Sequence, residues 1–304
     1  MNKIVIIGNG THSKRIQKIL KNKYKFIVFK PQNKSKINIK EQNLLMQNKI
    51  FFIASPNKTH YSYIKLLNNG KRYIYCEKPL TNNSNELKKL KKINKKKIYI
   101  NFNYRFSEIA NILLNKKFFN LKDLIYSNII VSHNFAYKKN YKKNWRSSKK
   151  NCHLGIVEML AIHWIDLMNY IFEIKKIINL NKMNISKQGE VPDTCNLQLI
   201  TKNNAQIDIF NSYASSLKYS LLFFFKDRHI EINETEAKIF KSQLVKSSQN
   251  RTKKIKISKK IKFSKDFNGL KKSILFFLDK AKKNKNFSNL QNRKSLESNK
   301  YLFN

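Results

Sequence analysis

The chain has 304 residues, of which 41% are hydrophobic, enough for one large globular domain or two of medium size. Its 63 Lys and Arg residues against 18 Asp and Glu residues give a formal net charge of +45, which taken alone favours a polyanionic partner such as nucleic acid. Glycine (6) and proline (4) are scarce, however, and lysine is spread over the whole chain, which is typical of a compositional bias. We therefore do not expect nucleic acid to be the partner, and a polyanion-binding basic protein is the least favoured alternative.

The sequence carries no pattern typical of export or membrane insertion. The apolar run from Ile4 to Ile7 is shorter than the roughly 7–15 residues of a signal peptide core, and no segment approaches the roughly 18 apolar residues of a membrane span. Cys76, Cys152 and Cys195 are widely spaced and form no CxxC pair, which predicts neither a disulfide framework nor a metal site. We expect a cytoplasmic protein without a membrane partner.

The first hundred residues alternate short apolar runs with segments of helical spacing. The predicted strands cover residues 3–7, 24–29, 50–54, 72–76 and 97–100. The predicted helices cover residues 11–23, 61–69 and 81–92, the last with Ser84 as its cap. Strands that alternate with helices of this length predict right-handed crossovers and a parallel sheet. The fold class predicted for this part is an α/β Rossmann nucleotide-binding domain.

The pattern changes after about residue 120, where strands follow one another directly. The predicted strands cover residues 124–132, 195–201, 205–212, 218–226, 229–232 and a basic segment at 255–263. One helix is predicted between them, over residues 155–172. Strands in sequence with few helices predict an α+β domain with an open, mainly antiparallel sheet.

A glycine-containing turn follows the first predicted strand. Its sequence is Gly8-Asn9-Gly10-Thr11-His12-Ser13, with Ser13 in place of the third glycine of the dinucleotide fingerprint. This position between a strand and a helix predicts that the turn approaches a pyrophosphate at a helix N-terminus. Residues 8 and 10–13 are therefore candidate cofactor contacts. At the end of the second strand Lys30 stands where an acid would accept the ribose hydroxyls, so the cofactor is predicted to be NADP or NAD, with a slight preference for NADP.

Two further segments are specific. Residues 54–60 read ASPNKTH and residues 70–80 read GKRYIYCEKPL. They resemble the ATPNxxH and GKxVxxEKPL signatures of the glucose-fructose oxidoreductase/inositol dehydrogenase/MocA (Gfo/Idh/MocA) family. The resemblance implies that Lys78 lies at the nicotinamide and at the substrate hydroxyl, as a catalytic residue that also contacts cofactor and substrate. The other cofactor contacts that it implies are Ser55, Pro56, Asn57, His60 and Glu77.

The resemblance extends beyond the nucleotide domain. Residues 101–106, NFNYRF, are similar to the family's GFNxRF segment, with Asn101 in place of the glycine. Residues 155–166 are similar to its GxxxDxxxHxxD helix, with Met159 in place of the aspartate. By this resemblance the domains are residues 1–118 and 119–304, and His163 is the second catalytic residue. The candidate substrate contacts are Lys78, Tyr104, Arg105, Trp145, Arg146, Glu158, Met159 and His163.

His163 is a candidate acid–base residue also without the resemblance. His163 and Asp166 are three residues apart and share a helix face, and a histidine with an ordinary pKa near 6.5 suits acid–base chemistry at neutral pH. Met159 cannot carry a proton, and Glu158 is the candidate that substitutes for the missing acid. In an α-helix, however, a spacing of five residues turns roughly 140°, so Glu158 is not expected to pair directly with His163.

These observations predict an NAD(P)-dependent oxidoreductase that transfers a hydride between nicotinamide and a hydroxyl or keto carbon of a sugar, nucleotide sugar or cyclitol. The basic segment at residues 137–150 is then a loop that attracts a phosphorylated or nucleotide-linked substrate. Because of Met159, the alternative is a catalytically impaired protein of the same fold that binds cofactor or sugar. The resemblance also implies a homodimer or homotetramer.

Overall fold

The computed structural model describes residues 4–30, 39–243 and 254–303. The chain divides into two compact units, and each is built from more than one stretch of sequence. The first unit comprises Met1–Asn103, Lys150–Cys152 and Leu270–Phe303, and the second comprises Tyr104–Lys149 and His153–Gly269. The structure thus assigns Leu270–Phe303 to the first unit, whereas the sequence prediction placed these residues in the second domain.

The first unit contains a parallel sheet of five strands. The strands are β1 (Ile4–Ile7), β2 (Phe26–Phe29), β3 (Ile50–Ile53), β4 (Tyr73–Glu77) and β5 (Ile98–Asn101), in the order β2-β1-β3-β4-β5. All four pairings are parallel, as predicted. The sequence of β1 is IVII and all four residues are buried, because a parallel sheet covered on both faces has no solvated side. The predicted Rossmann architecture is confirmed.

Four helices connect these strands. They are α1 (Thr11–Leu20), α2 (Ile39–Met46), α3 (His60–Leu67) and α4 (Ser84–Lys92). The prediction missed α2 and placed the cap of α4 one residue too late. The cap is Asn83, whose side chain accepts the backbone N–H of Asn85 at 2.9 Å and of Glu86 at 3.1 Å.

The second unit is built on an open sheet of eight strands. Its order is β13-β12-β11-β10-β6-β9-β8-β7, and every pairing is antiparallel except that of β6 with β9. The strands are β6 (Leu124–Ser132), β7 (Ile174–Met183), β8 (Thr194–Thr201), β9 (Gln206–Ser212), β10 (Lys218–Phe225), β11 (Arg228–Ile232), β12 (Glu236–Gln243) and β13 (Lys254–Lys262). The predicted mainly antiparallel sheet is confirmed. The edge strand β7 was missed because most of its side chains are exposed and do not alternate between polar and apolar.

In the described part of this unit the α-helices are α5 (Glu108–Leu113) and α6 (Ile162–Phe172). A π-helical turn at Val157–Ala161 precedes α6, so the predicted single helix over residues 155–172 changes its geometry at Ile162. The side chain of Trp164 is completely buried, and Phe172 stacks on Phe223 of β10 with 6.2 Å between ring centroids. These contacts fix α6 against the sheet.

The last two helices, α7 (Leu270–Lys282) and α8 (Asn289–Lys300), pack on the parallel sheet of the first unit. Phe277 of α7 meets Phe52 and Tyr75 edge to face, with 5.1 Å and 5.4 Å between ring centroids. Asn299 of α8 accepts the backbone N–H of Leu80 at 2.7 Å. The end of the chain therefore covers one face of the nucleotide-binding sheet. Within the described parts of the chain, no helix is long and apolar enough to cross a membrane.

We expect Gly155→Ala to destabilise the fold. Gly155 has φ +53°, and a Cβ atom there would lie 2.1 Å from the carbonyl oxygen of Pro192. The left-handed conformation alone costs about 1–2 kcal/mol for a residue with a Cβ atom, and the backbone of Pro192 must also move. Thermal unfolding followed by circular dichroism should show a lower melting temperature than the wild type.

Gly10→Ala is the matched control. Gly10 has φ −77° and ψ 179°, which suits any residue, and no described atom lies within 4 Å of its ideal Cβ position. Its melting temperature should stay close to that of the wild type. Equal melting temperatures for Gly155→Ala and Gly10→Ala would contradict this account.

Candidate functional site

The turn between β1 and α1 makes a close backbone contact with the end of β3. Gly8 has φ +115°, and a Cβ atom there would lie 2.5 Å from the carbonyl oxygen of Ala54. Gly10 is the N-cap of α1, and the first turn of this helix contains no acidic residue. No side chain among the described residues makes a capping hydrogen bond to it. The first-turn N–H groups, which begin with that of the exposed Thr11, are thus available to an anion.

Ser13 fills the place of the third fingerprint glycine. It is fully buried, and its hydroxyl donates to the carbonyl oxygen of Gly8 at 2.7 Å. The side-chain amide of Gln17 donates to the same hydroxyl oxygen at 3.1 Å. The serine therefore permits close packing, as predicted for a small residue, and also ties α1 to the glycine turn.

The carboxylate of Glu77, at the end of β4, receives two hydrogen bonds on one oxygen. His12 Nε2, on the first turn of α1, lies 2.7 Å from Oε1, and Asn101 Nδ2, at the end of β5, donates to Oε1 at 2.9 Å. Burial disfavours the charged form, but His12, Asn101 and the neighbouring charge of Lys78 outweigh it and hold the pKa of Glu77 below its usual value. Glu77 is therefore an ionised, buried anchor at the carboxyl edge of the sheet.

His60 joins the two signature segments of the first unit. Its ring is fully buried, with Nδ1 2.7 Å from the carbonyl oxygen of Pro79 and Nε2 2.9 Å from that of Ser55. Burial lowers the pKa of His60 despite these two contacts, so the ring is neutral at pH 7 and donates to one carbonyl at a time. His60 thus holds the loop after β3 against the loop after β4.

The remaining predicted cofactor contacts lie around this edge. In the loop after β3, Asn57 is buried and Pro56 is exposed. Lys78 is half-buried, and its peptide bond to Pro79 is cis. Lys30 is exposed immediately after β2, and the residues that follow it, 31–38, lie outside the described part of the chain.

In the second unit, His163 lies on the first turn of α6 and stacks on Tyr104. The ring centroids are 4.7 Å apart and the planes differ by 23°. Tyr104 also meets Trp164 edge to face at 4.9 Å, so its ring is held from two sides. Burial raises the pKa of Tyr104 to about 12, and the phenol keeps its proton at neutral pH. The stack fixes the plane of the imidazole ring.

Arg105 and Asp166 form a buried ion pair. Arg105 Nε donates to Asp166 Oδ2 at 2.8 Å, and Nη2 donates to Oδ1 at 2.6 Å. Both side chains are almost completely excluded from solvent, with exposed fractions of 3% and 0%. The pair connects the segment after β5 to α6, one turn beyond His163. Arg105, which the sequence predicted to contact substrate, is thus engaged with Asp166.

Glu158 and Met159 both lie within the π-turn. Ile162 donates its backbone N–H to the carbonyl oxygen of Val157, five residues earlier, which is the hydrogen bond of a π-helix. The α-helical rotation per residue that was assumed from the sequence therefore does not apply between Glu158 and His163. Glu158 is fully buried and accepts the backbone N–H of Leu154 at 3.3 Å, whereas Met159 is half-buried.

Trp145 and Arg146 lie in a short 3-10 turn of the second unit, and both are half-buried. The Arg146 guanidinium stacks over the Trp145 ring at 4.8 Å, and the side chain of Asn144 accepts the backbone N–H of Arg146 at 3.0 Å. This turn presents an aromatic ring and a cation together. Across the described ranges, no group of three or more His, Cys, Asp and Glu side chains has the arrangement of a metal site.

Three polar residues that the sequence did not predict make buried hydrogen bonds in the first unit. Asn101 was noted as a departure from glycine, but its bond to Glu77 was not expected. Ser273 and Asn299 lie on the buried faces of α7 and α8. For Ser273, a small polar residue on an otherwise apolar helix face was the available signal. The buried face of α8 is mostly polar and gave no such signal for Asn299.

Asp166→Asn should destabilise the protein strongly. The substitution leaves Arg105 buried without a countercharge, and removal of one partner from a buried pair costs about 3–5 kcal/mol. A large fall in melting temperature is expected. Asp279→Asn is the control, because its pair with Lys283 is solvent-exposed and its loss should leave the melting temperature unchanged. A small effect of Asp166→Asn would show that α6 is held by packing alone.

Comparison with known sequences supports the observed architecture. The model of the oxidoreductase family with an NAD-binding Rossmann fold, GFO/IDH/MocA, matches residues 38–102. The model of the GFO/IDH/MocA C-terminal domain matches residues 126–240. No curated protein sequence matches the chain significantly.

Solved structures of the same fold cover both units. A putative NADPH-dependent oxidoreductase from Desulfitobacterium hafniense has a TM-score of 0.76 at 12% identity, over 99% of this chain and 93% of the other. UDP-N-acetylglucosamine 3-dehydrogenase from Acidithiobacillus ferrooxidans has a TM-score of 0.73 at 14% identity, over 99% and 96%. An oxidoreductase from Agrobacterium radiobacter in complex with NAD+, L-tartaric acid and magnesium has a TM-score of 0.71 at 13% identity, over 98% and 94%.

The two family models match strands β3–β5 of the first sheet and most of the second sheet, in the expected order, and the structural neighbours share the fold over almost their whole length. The chain therefore belongs to the Gfo/Idh/MocA family of oxidoreductases, with an NAD-binding Rossmann fold followed by the family's C-terminal domain.

Proposed function

We propose that this protein transfers a hydride between a nicotinamide dinucleotide and a hydroxyl or keto carbon of a sugar-like substrate. The observation that carries the proposal is the hydrogen bond from the first turn of α1 to the end of β4, through His12 and Glu77. It brings an uncapped helix N-terminus, suited to a diphosphate, beside Lys78, suited to the reacting oxygen. Both requirements of a dinucleotide enzyme are thus met within the first unit.

The residues of the glycine turn fit a dinucleotide diphosphate. No described atom lies within 4 Å of the Cβ position of Gly10. The N–H groups of Thr11, His12 and Ser13 form the first turn of α1. The bound dinucleotide would supply the hydride acceptor or donor. The exposed Lys30 suits a 2′-phosphate and supports a slight preference for NADP over NAD. One structural neighbour is described as NADPH-dependent, and another holds NAD+.

Lys78 and His163 are the proposed catalytic residues. The ammonium of Lys78 would hold the substrate oxygen and stabilise alkoxide charge as it develops. The imidazole of His163 would take the hydroxyl proton during oxidation and return it during reduction. The stack on Tyr104 supports this role because it fixes the ring plane, and a general base acts only within hydrogen-bond reach of its proton.

A sugar or nucleotide sugar is the proposed substrate class, with a cyclitol as a further member. The turn of Trp145 and Arg146 offers a ring face for the apolar side of a sugar and a cation for a phosphate. Residues 137–143 add four lysines close to this turn in sequence. A structural neighbour that acts on UDP-N-acetylglucosamine supports the class.

We also propose a homodimer or homotetramer that forms through the eight-stranded sheet. One face of this sheet is buried. On the opposite face, strands β6, β8, β9 and β10 carry apolar side chains that are partly exposed to solvent. They are Ile130, Ile200, Phe210, Leu222 and Phe224. Ile130 and Phe210 are direct neighbours on β6 and β9, and polar residues such as Asn128 and Asp208 share the same face. Contact between copies of the chain would cover these partly exposed apolar side chains.

A binding protein without catalysis is the second candidate. Met159 stands where the family pattern has an aspartate, and a thioether cannot accept a proton from a hydroxyl. Such a protein would bind the dinucleotide and turn over no polyol, aldose or nucleotide sugar. The two experiments below separate the candidates.

Gly10→Val should abolish dinucleotide binding without loss of the fold. The extended backbone at Gly10 accepts valine, but the side chain would occupy the space where the diphosphate approaches. Fluorescence titration with NADPH and NADH in moderate salt should give saturable binding for the wild type at micromolar concentrations. Binding of Gly10→Val with wild-type affinity would place the dinucleotide elsewhere.

Lys78→Ala and His163→Ala should each reduce turnover by about 10²–10⁴-fold, because each removes a group that acts on the reacting oxygen. The assay follows nicotinamide absorbance with a panel of polyols, aldoses and nucleotide sugars. Lys71→Ala is the matched control, since Lys71 is exposed, and should retain full activity. Dinucleotide binding without turnover of any substrate by the wild type would favour the second candidate.

A further inference from the structure

A continuous chain of hydrogen bonds crosses the first unit from α7 to the glycine turn. The Tyr99 hydroxyl lies 2.7 Å from Ser273 Oγ, and the Ser273 hydroxyl donates to Asn101 Oδ1 at 2.6 Å. Asn101 Nδ2 donates to Glu77 Oε1 at 2.9 Å, and His12 Nε2 lies 2.7 Å from the same oxygen. Hydrogen bonds thus connect Ser273 of α7 to His12 of α1 through Asn101 and Glu77.

The direction of every bond in this chain follows from the ionised state of Glu77. A carboxylate only accepts, so Asn101 presents its amide nitrogen to Glu77 and its amide oxygen to Ser273. Ser273 has one proton and gives it to Asn101, so Tyr99 donates to Ser273. His12 must carry its proton on Nε2. Two donors, Asn101 Nδ2 and His12 Nε2, therefore meet on one carboxylate oxygen.

We infer that Asn101 and Ser273 are positioning residues for dinucleotide binding, which hold the Glu77 carboxylate oriented against the first turn of α1. This inference rests on the proposed function. Asn101 is buried and replaces the glycine of the family segment, and a glycine offers no side chain for this bond. Helix α7, from the far end of the chain, thereby supports the nucleotide site although Ser273 lies two hydrogen bonds away from Glu77.

Several titratable groups face Glu77 and set its charge. His12 approaches from α1, Lys78 follows it in the chain, and Tyr75 and Cys76 precede it on β4. The charge of Glu77 also acts on His60 of α3, in the direction that raises the pKa of the histidine. Beyond Lys78, none of these neighbours is a lysine or an arginine, so a second carboxylate beside Glu77 would meet little compensation.

Asn101→Asp tests the inference because it keeps the shape of the side chain and places a second carboxylate against Glu77. Two adjacent carboxylates do not both ionise readily, so one pKa is raised and one proton is shared as the pH falls. Dinucleotide affinity should fall about tenfold or more at pH 8, a change of about 1.4 kcal/mol, and recover toward pH 5.5. Asn111→Asp adds the same charge on the exposed face of α5 and should show no such pH dependence.

Ser273→Ala provides a second variant that adds no charge. Without the Ser273 hydroxyl the Asn101 amide is free to rotate and present its oxygen to Glu77, so affinity should fall severalfold at every pH. Ser273→Thr retains the hydroxyl and should restore binding. A purely structural role would predict that alanine, the smaller residue, is tolerated as well as threonine.

Thermal unfolding gives a readout that does not depend on the dinucleotide. In Asn101→Asp the folded state binds a proton more tightly than the unfolded state, so its stability relative to wild type should increase as the pH falls. Failure of wild-type protein to bind NADPH or NADH would overturn the proposed function, and the unfolding data would still test the contact with Glu77. Wild-type affinity and pH-independent relative stability in Asn101→Asp, with full binding by Ser273→Ala, would overturn the inference.

Discussion

The hydrogen-bonded and ion-paired buried carboxylates are the interactions on which the polar architecture of this protein depends. Acidic residues are rare here, 18 in 304, yet four of the described ones are buried. They are Glu77, Glu158, Asp166 and Asp193. Each accepts hydrogen bonds, from residues 24 and 61 positions away for Glu77 and Asp166 and from nearby backbone N–H groups for Glu158 and Asp193. A buried carboxylate without donors would be costly, so each one requires a defined set of partners.

The same constraint explains how the chain tolerates its charge. Arg105 is the one buried lysine or arginine within the described ranges, and it is neutralised by Asp166. The lysines of the described segments lie at least partly in solvent, where long side chains keep their charges hydrated. The net charge of +45 is therefore a property of the surface, and the core retains the apolar composition of an ordinary α/β protein.

Much of the fold was predictable because its signals are local. The five strands of the parallel sheet are short apolar runs, and the glycine turn occurs between the first strand and the first helix. The segments that escaped prediction depend on distant partners. Helix α7 is buried against the first sheet although β13 and α6 precede it in the chain, and no local pattern indicates which unit a helix joins.

The predicted site residues also divide into those with a local sequence signal and those that depend on distant partners. The close packing at Ser13 was predicted from its fingerprint position, whereas His60 was predicted only as a cofactor contact and its bond to Pro79 was not expected. Asn101 acquires its contact only when β4 and β5 are adjacent. Its partner Ser273 is 172 residues away in sequence, which no motif spans. Roles for Lys78 and His163 stay proposals that rest on the family pattern and on the local geometry of each unit.

The π-turn is the clearest case in which backbone geometry changes a chemical conclusion. A family pattern with an acid four residues before His163 assumes an α-helical turn, and Met159 breaks that pattern. The π-turn carries a hydrogen bond from the N–H of Ile162 to the carbonyl oxygen of Val157, five residues earlier, so the rotation per residue of a regular α-helix does not hold between Glu158 and His163. Glu158 is a buried acid within this turn. The side chain that faces His163 is therefore determined by the backbone hydrogen bonds of this turn as well as by the spacing in the sequence.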